Sequence, residues 1–157
     1  MTWTTHQALA IMASMALGMP LLATAAAWSG SIMPDIIDQK RAAFSLFNSQ
    51  GKYNKVHRKG SHWFGWWLLL WIFAQGGYLG PLPDSLLGGL AFGALTHCLL
   101  DMCTTRGVPL LPIGSSRFSL KICSGGGLVE YAILGLCAFA FWTALRNGLI
   151  RIDLSLF

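Results

Sequence analysis

Four apolar runs dominate this chain: Ala8 to Trp28, Trp63 to Leu79, Leu86 to Leu100 and Leu128 to Leu145. A helix needs about 20 apolar residues to cross a bilayer, with a range of roughly 17 to 25. The fourth run meets that length, the second comes close, and the third is short and carries a histidine. Charged residues make up 11% of the chain, against about 25% in a soluble globular domain. Trp63, Trp66, Trp67 and Trp71 open the second run as an interfacial aromatic belt would. Strand signals are weak throughout. The pattern predicts one all-α integral membrane domain over residues 1–157, a helical bundle of about four spans embedded among membrane lipids.

Gly18-Met19-Pro20 interrupts the first run, because proline is poorly tolerated inside a helix. Two paths are open. A single kinked span leaves His6 about 30 Å from residue 28 at 1.5 Å rise per residue; a helical hairpin returns His6 toward Asp35. The segment resembles a secretory signal in its apolar core and Ala25-Ala26-Ala27, but its first six residues carry no positive charge, so it is expected to be retained.

The net charge of +5 invites a nucleic-acid partner, but the placement of the charges favours topology. Lys40, Arg41, Lys52, Lys55, Arg58 and Lys59 separate the first two runs, and Arg106, Arg117 and Lys121 separate the last two. The link from Pro81 to Asp84 has no Lys or Arg. The positive-inside rule puts both basic loops in the cytoplasm, with Arg146 and Arg151 pulling weakly the other way. Cys98, Cys103, Cys123 and Cys137 form no C-x-x-C pair, which argues against a disulfide framework or a zinc–thiolate site.

His97 and Asp101 lie four residues apart inside apolar sequence, so both leave one face of a helix. A buried carboxylate there costs several kcal/mol unless a partner or a metal neutralises it. With six acids and four histidines in the chain, three further clusters draw notice. Asp35 and Asp38 follow the first run, His57 and His62 precede the tryptophan belt, and Glu130 sits just inside the fourth run. On the proposed topology Asp35, Asp38, His57, His62, Asp101 and Glu130 fall at one depth near the cytoplasmic face. Imidazole and carboxylate together suit a divalent metal, zinc first, with manganese or iron as alternatives. Metal-assisted hydrolysis is the chemistry such a set supports, with two metals able to clamp a phosphoryl group. Arg58, Lys59, Arg106 or Arg117 would hold the phosphate oxygens, and a carboxylate, Asp35 or Glu130, would serve as general base.

In their order along the chain these motifs resemble the YdjM-like family of LexA-regulated inner-membrane proteins. Thr5-His6 is similar to its N-terminal histidine, and Gly30-Ser31-Ile32-Met33-Pro34-Asp35 to its G-S-L-L-P-D segment. His57-Arg58-Lys59-Gly60-Ser61-His62 is similar to its H-R-G-x-T-H motif. Leu95-Thr96-His97-Cys98-Leu99-Leu100-Asp101, followed by Gly107-Val108-Pro109-Leu110-Leu111, matches best. Arg117-Phe118 and Gly127-Leu128-Val129-Glu130 correspond to its later basic and glutamate positions. The resemblance implies a multi-pass protein of the bacterial inner membrane and a metal-dependent hydrolase. Its ligands would be drawn from His6, Asp35, His57, His62, His97, Asp101 and Glu130, acting on a phospholipid or another phosphoester. A distant likeness to zinc-dependent phospholipase C and P1-type nucleases points the same way. The family pattern P-D-x-D is lengthened by one residue here, so Asp38 is read as a solvated acid or as support for a ligand.

Plainer roles stand beside these. His97 with Asp101 would also serve as a buried pair locking two helices, and Asp35 as a helix cap. His57 and His62 would also suit a solvated basic segment, and Glu130 a salt bridge to a loop. A non-enzymatic scaffold, or an ion or proton conduit, would use the same residues without hydrolysis.

Overall fold

A computed structural model describes residues 1–43, 60–112 and 116–156. His57 and Arg58 therefore lie outside the described residues. Among the described residues six α-helices appear in chain order: α1 (Trp3–Ala16), α2 (Leu21–Gly30), α3 (Met33–Ala43), α4 (Phe64–Gln75), α5 (Pro81–Met102) and α6 (Leu128–Arg146). A 3-10 turn, Gly60–His62, precedes α4. The expected all-α character needs one amendment. Val108–Pro109 pairs antiparallel with Arg117–Phe118 in a short ribbon, and Thr104 bridges Cys123 beside it.

Pro20 decides the path of the first run. Gly18 takes φ +66, α1 ends, and α2 starts after Pro20 and packs back along α1. The hairpin brings Trp3, at the start of α1, to Asp35, at the start of α3, with indole Nε1 donating to Oδ2 at 3.0 Å. The first N–H groups of α2, from Leu21 and Leu22, donate to the carbonyls of Ser155 and Leu156 in the returning C-terminal segment. Two orphan donors of that helix are thereby satisfied.

Among the described residues two helices are long and apolar enough to cross a membrane, α5 with 22 residues and α6 with 19. The apolar α2 and α4 have 10 and 12 residues. Gly76 and Gly77 stop α4 after about 18 Å of rise. Along α6, Leu128, Leu136, Phe139 and Trp142 are all exposed, as lipid-facing side chains are.

The packing of α2 on α5 positions everything that follows. Where these helices touch, both present small residues at four-residue intervals. A Cβ on Gly89 would lie 2.2 Å from the Ala23 carbonyl oxygen, and one on Gly93 would lie 2.0 Å from that of Ala27. Only bare backbone allows so close an approach, the device by which small residues bring membrane helices together. The register pairs 89 with 23 and 93 with 27, so α2 and α5 run parallel. One turn further along the same stripe of α5 lies His97, and one further still Asp101.

Candidate metal centre

The next step of that register places His97 against Ser31. The Ser31 carbonyl can only accept, so His97 Nδ1 carries the hydrogen that spans the 2.6 Å between them. In the neutral ring this leaves a lone pair on Nε2. The Nε2 of His62 lies 3.2 Å from that of His97, and its tautomer is set the same way. Ser61 Oγ donates to Asp38 Oδ1 at 2.5 Å, while His62 Nδ1 lies 3.1 Å from Ser61 Oγ and 3.3 Å from Asp38 Oδ2. Acceptors on that edge hold the hydrogen on Nδ1.

The Nε2 atoms of the two imidazoles thus face each other, and two carboxylates close the group. Asp35 Oδ1 is 3.2 Å from His62 Nε2 and 3.7 Å from His97 Nε2. Asp101 Oδ2 is 3.5 Å from His97 Nε2 and 3.8 Å from His62 Nε2. A tetrahedral zinc with ligand bonds of 2.0–2.2 Å separates its ligand atoms by about 3.3–3.6 Å, which is the scale of these distances. His62 and His97 are fully buried, and Asp101 is 1% exposed. The donor set, its spacing and the orientation of both rings fit a divalent cation.

Local structure explains how each of these side chains arrives. Asp35 and Asp38 are three apart on α3 and share a face, so one carboxylate meets each end of the His62 ring. His62 ends the 3-10 turn, which is tied to α4 by the Trp67 indole donating to the Ser61 carbonyl at 2.8 Å. Burial alone would depress the basicity of His62. The hydrogen bonds and negative charge of Asp35 and Asp38 outweigh it and raise the imidazole above its ordinary value. The same negative potential favours a cation.

His6 completes the inner wall. Its ring stacks on that of His97 with centroids 3.9 Å apart, and Nε2 lies 3.5 Å from Asp101 Oδ1. Neither ring nitrogen makes a hydrogen bond among the described residues, although the side chain is 1% exposed. His6, His97 and Asp101 form one potential metal-binding group, and Asp35, His62 and His97 another. Asp101 Oδ1 also accepts from the Met1 amino group at 3.0 Å.

Of the residues singled out from sequence, His6, Asp35, His62, His97 and Asp101 come together. Asp38 is buried behind His62 rather than solvated. Glu130 stands apart. Its carboxylate accepts from the Thr2 N–H at 2.7 Å, the Thr2 hydroxyl at 2.8 Å and the Gly126 N–H at 2.7 Å. It joins the N-terminal segment to the glycine-rich entry of α6. Sequence reasoning missed Ser31, Ser61, Trp3 and Trp67. Ser31 had a signal, since it continues the four-residue series Ala23, Ala27.

No curated protein and no solved structure matches this chain. The family described as YdjM inner membrane protein does, over residues 1–154. That match takes in all five converging residues, together with both helices of spanning length: the chain belongs to the YdjM inner membrane protein family.

Proposed function

We propose that this inner membrane protein is a metal-dependent hydrolase of phosphoesters, with its centre at the cytoplasmic face. One observation carries the reading: two imidazoles, oriented by separate hydrogen bonds, turn their Nε2 atoms toward each other and toward two carboxylates. Two overlapping groups of ligand atoms, Asp35 with His62 and His97, and His6 with His97 and Asp101, share the His97 ring. His62, His97, Asp35 and Asp101 would hold the cation, and His6 would face it from the stacked position beside His97. Zinc suits this nitrogen and oxygen set, and manganese or iron would also be accepted. When bound, such a cation supplies a water acidified toward neutral pH and polarises a phosphoryl oxygen.

The protein's own part is to orient and to exclude water. Ser31 and Asp38 fix the two rings, as hydrogen-bond partners of ligands do in metal sites. The apolar surroundings strengthen every charge interaction at the centre. Asp35 belongs both to the ligand group and to the wall of a pocket that opens beside it, so it is the carboxylate placed to take a proton from an attacking water. Basic residues in the loops flanking the centre favour the cytoplasmic side for it. The short apolar helices α2 and α4 would sit within the bilayer beside α5 and α6 in a multi-pass arrangement. The helical character and paired histidine–carboxylate ligands are also what a remote likeness to phospholipase C and P1-type nucleases would share.

Elemental analysis of the detergent-purified protein tests this directly. Stoichiometric zinc, manganese or iron is expected, followed by metal-dependent cleavage in a screen of phosphomonoesters, phosphodiesters and phospholipids. Purification without stoichiometric transition metal would overturn the hydrolase reading and leave a scaffold.

A further inference from the structure

A pocket of about 500 Å³ opens beside the centre, its lining including Trp3, Asp35, Thr104, Arg106, Ser124 and Gly125. That volume lies within the usual range of small-molecule sites, about 300–1,000 Å³. Arg106 makes no ion pair among the described residues. Lys121, further along the same connection, is not part of the pocket wall.

The backbone around Arg106 is built rather than incidental. The turn closes with the Gly107 N–H donating to the Thr104 carbonyl at 3.2 Å. Gly107 takes φ +63, and a Cβ there would lie 2.2 Å from the Phe118 carbonyl oxygen, so no larger residue fits. The turn is laced to residues 119–123 by Leu120 N–H to Met102, Ile122 N–H to Cys103 and Thr105 N–H to Cys123, at 2.8, 2.9 and 3.1 Å. The Ser119 hydroxyl adds a bond to the Thr104 carbonyl at 2.5 Å. Arg106 is thereby held on a short turn directly after the helix that carries His97 and Asp101. Ser124 and Gly125 lead into α6, whose positive N-terminal end favours anions.

We infer that this pocket is a phosphoryl-binding subsite and that Arg106 is its anion-binding residue. The inference rests on the hydrolase reading for the role of the subsite, and on the pocket and Arg106 alone for its existence. The guanidinium forks onto two phosphate oxygens, while Asp35, in the same lining, links the pocket to the centre. The ligand class is a phosphate monoester or diester group, carried either by a lipid headgroup or by a soluble ester.

The test is calorimetric binding of inorganic phosphate, and separately of monomeric dihexanoylphosphatidic acid, to the full-length protein in uncharged detergent. Metal content is measured on every sample. Arg106→Ala is expected to weaken phosphate binding at least tenfold, equivalent to about 1.4 kcal/mol, with metal content unchanged. Arg106→Lys is expected to recover part of the loss, and Lys121→Gln to leave binding at the wild-type level. Tighter binding of the lipid than of phosphate would assign the headgroup as the source; equal binding would assign a soluble ester. Wild-type phosphate affinity in Arg106→Ala overturns the inference. A wild-type protein that binds phosphate through Arg106 but holds no metal would uphold the subsite and sink the hydrolase reading.

Discussion

The Ser31 carbonyl takes the Nδ1 hydrogen of His97 at 2.6 Å, and this bond joins the helix packing to the chemistry. It is the third step of a register that begins with Gly89 against Ala23 and continues with Gly93 against Ala27. The same close approach brings the Ser31 carbonyl within hydrogen-bond reach of the His97 ring. A ring that would otherwise be free to present either nitrogen presents Nε2 to His62, Asp35 and Asp101.

Replacing His97 or Asp101 with Ala should abolish metal uptake. Each substitution removes a ligand atom and leaves the opposite charge or lone pair buried without its counterpart. Metal measured by elemental analysis on protein that elutes as wild type in size exclusion should fall from stoichiometric to below a tenth. Retained stoichiometric metal in both variants would show that these residues do not ligate.

Much of this site could be read from residue spacing alone. His97 and Asp101 declare themselves because a helical i, i+4 pair of ionisable groups in apolar sequence has few uses. His6 could not be placed until the break at Pro20 was resolved into a hairpin, since its distance from Asp35 differs between the two paths. Of the two roles open to Asp38, solvated acid or support for a ligand, its burial at the far edge of the His62 ring leaves the second. The rows Gly89, Gly93 and Ala23, Ala27 went unread, although small residues at four-residue intervals are a packing signal. The ribbon formed by Val108–Pro109 and Arg117–Phe118 is too short to leave a period-two pattern. The Glu130 contacts with Thr2 and Gly126 join distant segments, which local periodicity does not encode.

Asp38→Asn should weaken metal binding without changing stoichiometry. Asp38 Oδ2 lies 3.3 Å from Nδ1 of His62, on the edge away from the centre. Loss of such a partner costs roughly 10–100-fold in metal affinity. Competition with a chelator of known affinity reads the change. Unchanged affinity would remove Asp38 from the orienting role, and complete loss of metal would make it a ligand.

Glu130→Gln should lower stability and spare the metal. The carboxylate accepts from Thr2 and Gly126, and an amide nitrogen in place of one oxygen would oppose a donor to a donor. Losing charge-assisted bonds of this kind costs about 1–3 kcal/mol, read as a fall in thermal midpoint in detergent. Loss of metal at an unchanged midpoint would instead place Glu130 in the centre.

Metal should leave as the pH falls. Ligation needs neutral imidazoles and ionised carboxylates, so protons compete with the cation and affinity drops on acidification. Dialysis at graded pH values, followed by elemental analysis, should show retention at pH 8 and depletion toward pH 5. Metal held undiminished through that range would mean that histidines are not among its ligands.

Gly93→Ala should damage the site without touching any ligand. The added Cβ would lie 2.0 Å from the Ala27 carbonyl oxygen and 2.8 Å from the Ser31 nitrogen, both of them backbone atoms that cannot swing aside. Relieving the clash moves α2 away from α5 and carries the Ser31 carbonyl away from His97. Overpacking of this sort costs about 1–3 kcal/mol, so the thermal midpoint should fall and metal affinity should fall with it. Gly135→Ala is the matched control, since a Cβ there meets nothing within 4 Å and alanine is the better helix former. Wild-type metal affinity in Gly93→Ala, in protein whose midpoint has dropped, would uncouple the helix packing from the orientation of His97.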